Sequence, residues 1–239
     1  MTLDIEPVID QKNLKPSLTV MGVGGAGSNA INNMIQSNLN NVEFIVANTD
    51  AQALENSLCY NRIQLGLEKT KGLGAGADPT IGKEAAEESI DIISEELRHT
   101  NMLFITAGLG GGTGTGALPV IARIAKEKNI LTVGVVTKPF QMEGKRKIEK
   151  AEKGVTELQK FVDNLIVIPN QNIFAVAKPD TPVTDSLQLA NDVLIDGVSS
   201  IIDLMVKPGI MNHDFADVKS VMSETGKVHL GTGISEGED

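Results

Sequence analysis

Two glycine-rich stretches are the first places in this sequence where chemistry can be located. The denser is Gly108-Leu109-Gly110-Gly111-Gly112-Thr113-Gly114-Thr115-Gly116, with six glycines in nine residues. Glycine loses more chain entropy on folding than any other residue, so this density implies backbone that passes close to something or turns through positive φ. A run of N–H groups with two threonine hydroxyls among them makes a nest suited to a di- or triphosphate. A flexible surface loop is a poorer account, because the stretch follows an apolar run and leads into an amphipathic one. The second stretch, Gly22-Val23-Gly24-Gly25-Ala26-Gly27, also leaves a strand-like run and opens a helix-like one. Its amides can hold phosphate at a helix N-terminus, and it equally fits a dinucleotide-binding turn with Asp50 as the ribose-binding acid. In isolation it is also a tight turn that lets a helix approach a sheet.

Acidic groups supply the other candidates. Asp214 and Asp217 stand three apart at the start of a helical pattern, so their carboxylates share one face and can orient a water. The plainer reading is a capping acid plus a first-turn acid, worth about 0.5 to 2 kcal/mol. Asp50 likewise reads as the cap of a short helix over 51–55. No residue beside either glycine stretch looks like a general base. There is no Walker lysine, since Gly76 and Lys83 have the wrong spacing and no Ser or Thr follows. His99, His213, His229 and the single Cys59 are too scattered to form a zinc site.

The elements that must position these groups alternate. Apolar, β-branched runs at 17–23, 42–48, 62–65, 102–107, 131–137 and 165–168 predict strands. Helical periods at 28–36, 82–98, 115–128 and 144–161 fill the intervals. That alternation predicts an α/β fold, a Rossmann-like and mainly parallel sheet flanked by helices. After Pro169 the rhythm changes to a loop with Pro179 and Pro182. One long helical pattern then runs over 183–206, roughly 35 Å at 1.5 Å per residue. Pro208 and Gly209 stop it, a loop with Asn212 and Asp214 follows, and a further helix is expected over 215–224. A last strand pattern at 228–232 precedes Ser-Glu-Gly-Glu-Asp, as if the chain broke off while a new unit began.

The 239 residues are 41% apolar, enough for one large core or two modest ones without staples. One cysteine excludes an internal disulfide framework. No apolar run reaches membrane-spanning length, and the opening residues lack a signal-peptide pattern, so a cytoplasmic location is expected. The formal charge of −10, with no Trp and one Tyr, argues against general nucleic-acid binding. Local amides can still bind a small anion, because they do not depend on net charge.

GGGTGTG is similar to the phosphate-loop signature of the tubulin and FtsZ superfamily. The neighbouring segments match the FtsZ branch in order across nearly the whole chain. They are Asn48-Thr49-Asp50-Ala51-Gln52-Ala53-Leu54, Gly72-Leu73-Gly74-Ala75-Gly76, Lys138-Pro139-Phe140 with Glu143-Gly144, Ile168-Pro169-Asn170, Asn191-Asp192, and Asn212-His213-Asp214-Phe215-Ala216-Asp217. The resemblance implies a GTP- and GDP-binding GTPase that assembles into the bacterial division ring at mid-cell. Gly25, Ala26, Gly27, Ser28 and Asn29 would line the α/β-phosphate side. Gly112, Thr113 and Gly114 would hold the β/γ-phosphate side, with Gly110, Gly111 and Thr115 as further nucleotide-binding positions of the same loop. Gly74, Ala75 and Gly76 would sense the γ-phosphate, with Asn48, Thr49 and Asp50 near it and near a magnesium ion held through phosphates and water rather than by a protein cage. Glu143 matches the carboxylate expected at the ribose, and Pro139 is a further nucleotide-binding position.

Guanine presents N–H donors on one edge, so choosing it over adenine requires a carboxylate or amide oxygen. The resemblance assigns that task to Asn191 and Asp192, helped by Asn170. Two positions depart from the commonest family pattern. Lys147 stands where an arginine usually contacts the nucleotide, and Leu187 where an aromatic usually stacks on the base. Lysine lacks the planar fork and leucine the π-face, which predicts weaker nucleotide binding. Arg146 does not substitute, since adjacent helical positions are about 100° apart.

By the same resemblance, the loop with Asn212, Asp214 and Asp217 completes the site of the next subunit in a head-to-tail homopolymer, an open interface. Other implied partners are division-ring tethers and regulators, with no nucleic acid and no direct membrane insertion. The implied organisation is a flexible segment at 1–16, a GTP-binding domain at 17–182, a central helix at 183–206, and a catalytic loop, helix and truncated second domain at 207–239. Two rivals stay open at this stage: an NAD-dependent oxidoreductase built on the first glycine turn, and a subunit fragment that binds GTP without assembling.

Overall fold

The computed structural model describes residues 16–37, 39, 42–175, 192, 195–199 and 202. Positions 1–15, Leu187, Asn191, Asn212, Asp214 and Asp217 lie outside the described residues.

Six strands, β1 (Leu18–Val23), β2 (Glu43–Asn48), β3 (Asn61–Gln64), β4 (Met102–Gly108), β5 (Leu131–Lys138) and β6 (Asn164–Pro169), form one sheet in the order β3-β2-β1-β4-β5-β6. Every pairing is parallel. Parallel strands need crossovers, and here helices supply them. They are α1 (Gly24–Gln36), α2 (Ala51–Glu55), α3 (Leu67–Thr70), α4 (Pro79–Glu88), α5 (Ile90–Glu96), α6 (Thr113–Glu127) and α7 (Lys145–Leu158). Short 3-10 turns occupy Gln141–Glu143 and Asn170–Ala175.

Helices on both faces explain why the central strands read as continuous apolar runs. All six residues of β1 are buried. Alternation along the strand sends Met21 and Val23 to one face, where they join Leu103, Ile105, Leu118, Ile121 and Ala151. Leu18 and Val20 face the other side with Phe104, Ile31 and Met34. Val198 and Ile202 pack on that second face, and 192, 195–199 and 202 are helical. Each fully buried large aliphatic or aromatic side chain stabilises by about 1.5 to 3 kcal/mol.

The structure changes several of the helix boundaries expected from the periodicity. Residues 82–98 are two helices rather than one. Ser89 ends α4, its hydroxyl donating to the Ala85 carbonyl (3.0 Å) and accepting from the Gly66 amide (3.0 Å). A serine that bonds backbone inside a helix competes with the ladder, and here it separates α4 from α5. Helix α1 begins at Gly24, not at residue 28, because Gly24 at φ 71 makes the whole reversal from strand to helix. Helix α6 begins at Thr113, two residues before its expected start at 115. The two glycine stretches are therefore first turns of helices as much as loops.

Candidate functional site

The strand order reverses between β1 and β4. In open parallel sheets the crevice beyond the carboxyl ends at such a reversal is where ligands bind. Both glycine turns leave the sheet at this point. A Cβ on Gly24 would lie 3.1 Å from the Gly114 amide nitrogen, and one on Gly108 would lie 2.9 Å from the Ala26 methyl. Only glycines allow the turns to approach so closely.

A cleft of about 440 Å³ opens there, lined by Gly25, Ala26 and Asn29 from α1, and by Gly111, Gly112, Thr113 and Gly114 at the start of α6. Thr137, Pro139, Glu143, Lys147 and Asn170 close its far side. Two helices thus present their N-termini to one cavity. Neither has a side-chain cap or an acidic residue in its first turn. Uncapped first-turn amides carry the positive end of the helix dipole, so the cleft is built for an anion.

Other residues support the turns without lining the cleft. The Thr115 hydroxyl is buried and accepts from the Gly110 amide at 2.9 Å, and Gly110 itself turns at φ 102. The Ser28 hydroxyl points back along α1 to the Gly24 carbonyl at 2.9 Å. Gly27 sits against β1 and β4, where a Cβ would meet the Thr106 carbonyl oxygen at 2.6 Å. These residues shape the backbone that the cleft exposes.

The segment after β2 comes alongside. The Thr49 hydroxyl lies 2.7 Å from the Thr113 hydroxyl, and the Thr49 carbonyl accepts from the Gly74 amide at 3.1 Å. Asp50 pairs in a bridge with Leu73. Its carboxylate caps α2, accepting from the amides of Gln52 (3.0 Å) and Ala53 (3.2 Å). The buried Asn48 accepts from the Asp50 amide at 3.3 Å. Positive φ at Lys71, Gly72, Gly74, Gly76 and Ala77 curls the 71–77 turn toward the start of α6. Ala75 packs on Gly112, and the Lys150 ammonium donates to the Ala77 carbonyl at 2.5 Å.

At the far wall, one Glu143 oxygen accepts from the Phe140 amide (2.8 Å) and the other from the Lys147 ammonium (3.1 Å). Asn170 begins the turn after β6 and is only 8% exposed. Its Oδ1 and the Thr106 hydroxyl in β4 are buried without a partner among the described residues. A buried acceptor facing a cleft without a donor points to a ligand N–H or O–H. Asp192 is helical and half-buried. Thr137, missed from sequence, lies near the carboxyl end of β5, one strand out from the reversal, and its place at the end of an apolar run is its only sequence signal. Among the described residues, no group of three or more His, Cys, Asp and Glu is placed to hold a metal ion, and no helix is long and apolar enough to cross a membrane.

Known proteins resemble this chain in sequence and in fold. The sequence model of the Tubulin/FtsZ family, GTPase domain, matches residues 17–178. The cell division protein FtsZ of Rickettsia typhi is 61% identical over 226 residues, which cover 95% of this chain and 50% of that protein. FtsZ of Caulobacter vibrioides is 58% identical over 95% of this chain and 44% of its own length. The chain spans about half the length of such curated relatives. Among solved structures, an empty FtsZ dimer from M. jannaschii superposes with a TM-score of 0.84 at 44% identity, covering 87% of this chain and 61% of its own. CetZ2 of Haloferax volcanii, a GTPγS-bound protofilament, shares the fold with a TM-score of 0.69 at 20% identity, over 78% of this chain and 58% of its own.

Proposed function

Because the chain belongs to the Tubulin/FtsZ family of GTPase domains, we propose that it binds GTP and GDP in the cleft between the two glycine turns and hydrolyses GTP as a subunit of a head-to-tail polymer in bacterial division. The first-turn amides of α1 take the α- and β-phosphates, and those of α6 take the β- and γ-phosphates. Asn170 receives a donor of the guanosine, while Asn191 and Asp192 read the guanine edge. The single observation that carries this reading is the convergence of two uncapped helix N-termini on one cleft.

Magnesium fits this cleft as a companion of the phosphates. The lining offers amides and hydroxyls rather than a carboxylate cluster, and magnesium keeps several waters beside one or two anionic ligands. Held there through the phosphates and water, it would supply positive charge that offsets the phosphoryl oxygens.

No side chain of the cleft is placed as a general base. The hydrolytic carboxylates, Asp214 and Asp217 with Asn212 beside them, come from the adjoining copy, so activity depends on assembly. Placement in the cytoplasm at the mid-cell ring, with tethers and regulators as further partners, follows from this reading. Phosphate release per subunit should rise with protein concentration, and Asp217→Ala should abolish turnover while GTP still binds by calorimetry. Turnover retained in Asp217→Ala rejects the shared site. A thermal shift with NAD and none with GTP would restore the oxidoreductase reading.

A further inference from the structure

Thr49 has a buried side chain that does not line the cleft, yet it touches a residue that does. Its hydroxyl lies 2.7 Å from that of Thr113, 64 residues further along the chain. Its carbonyl accepts from the Gly74 amide (3.1 Å), the Gln64 side-chain amide (3.0 Å) and the Thr70 hydroxyl (3.2 Å). Thr49 is therefore held by three elements and has little freedom to reorient.

A threonine hydroxyl has one proton and two acceptor lone pairs. Without a ligand, the contact permits either polarity. An anionic phosphate oxygen offers only acceptors, so Thr113 must give its single proton to that oxygen. The Thr49 contact then survives only with Thr49 as donor. In the opposite order the Thr113 oxygen, its proton turned toward Thr49, faces the phosphate as one acceptor against another.

The geometry points to Thr49 as a positioning residue that commits the Thr113 hydroxyl to donate toward a phosphate of a nucleoside di- or triphosphate, and whose carbonyl links that donor to Gly74. This rests on the reading of the cleft as a guanine-nucleotide site. Thr49 acts through Thr113 and does not touch the ligand.

Calorimetric titration of the full 239-residue chain with GTP, GDP and guanosine tests it. Thr49→Val should weaken GTP and GDP binding about tenfold and leave guanosine unchanged, while Thr49→Ser should stay within about twofold of the parent. The double variant Thr49→Val with Thr113→Val should bind no more weakly than Thr113→Val alone, because the relay has already lost its end. Thr49→Ala, which removes the hydroxyl without adding a methyl to the contact, replaces Thr49→Val if that variant folds poorly. An indifferent Thr49→Val, or a double variant showing the product of both losses, overturns the inference while leaving the nucleotide reading intact. A similar loss for guanosine reduces Thr49 to a structural role. A parent chain that binds neither GTP nor GDP overturns both.

Discussion

Gly82 of α4 lies directly against the Gly112 carbonyl, so that a Cβ at Gly82 would overlap that oxygen and stand 3.1 Å from the Thr113 Cα. All the obstructing atoms are backbone and cannot rotate away. Gly82→Ala must push α4 off the glycine turn or displace the turn itself. The expected outcome is a loss of about 1 to 3 kcal/mol, read as a lower urea midpoint, together with weaker GTP binding.

Gly25 is the opposite case. A Cβ there meets nothing within 4 Å, its φ is not in the left-handed range, and it lies in the first turn of a helix facing the cleft. Gly25→Ala should stabilise the ligand-free chain by about 0.4 to 1 kcal/mol, because it restricts the unfolded state. The same methyl projects where phosphate would sit. A higher melting temperature combined with weaker GTP binding is the expected pair of results, and unchanged binding counts against the phosphate assignment.

Asp50 combines a structural and a proposed functional role. One carboxylate oxygen takes two first-turn amides of α2, so Asp50→Ala should cost about 1 kcal/mol, whereas Asp50→Asn keeps most of the cap. If the residue also serves the γ-phosphate and its magnesium, Asp50→Asn will lose GTP affinity in magnesium while retaining stability. Comparing chemical denaturation with magnesium-dependent titration separates the two contributions.

Lys147 gives one of its three N–H donors to Glu143, whose other oxygen is held by the Phe140 amide. An arginine there can keep that partner with one N–H and offer others to the ligand. Lys147→Arg should tighten GTP binding about threefold by calorimetry, with little change in thermal stability.

Burial pushes the Cys59 thiol above its ordinary value of 9.0, with backbone hydrogen bonds at Asn61 and Val46 and the Arg62 charge acting the other way. The folded chain then holds its proton at pH values where the unfolded chain has lost it, and stability falls as pH rises past about 9. Below that value both states are protonated and the thiol contributes no pH dependence. Denaturation midpoints should decline above pH 9 less steeply in Cys59→Ala. A thiol reagent should label the parent only on unfolding, since the side chain is 1% exposed.

Much of this architecture was legible in the residues. The runs at 17–23 and 131–137 were readable as strands because both faces of a central parallel strand are covered, which leaves an unbroken apolar signal. The glycine turns were readable because their density is costly anywhere but at a close approach. The break at Ser89 was not, since an apolar period carries through it and the competing bonds come from Ala85 and from Gly66, 23 residues away. Helix α3 was also missed. It is a single turn that starts after Gly66 at φ 62 and carries no apolar period of its own.

Most of the strands and longer helices and the two glycine turns were settled by residue type and spacing, because burial alternation and backbone permissiveness act over a few residues, and the family was read from the resemblance of the ordered motifs. Which turns face each other was decided only in three dimensions. Parallel pairing of β1 with β4 sets Gly24 beside Gly114, pairing of β2 on β1 carries Thr49 alongside Thr113, and pairing of β6 on β5 brings Asn170 to the same crevice. Those meetings join residues dozens of positions apart. They depend on strand order and packing between layers, which no local pattern encodes.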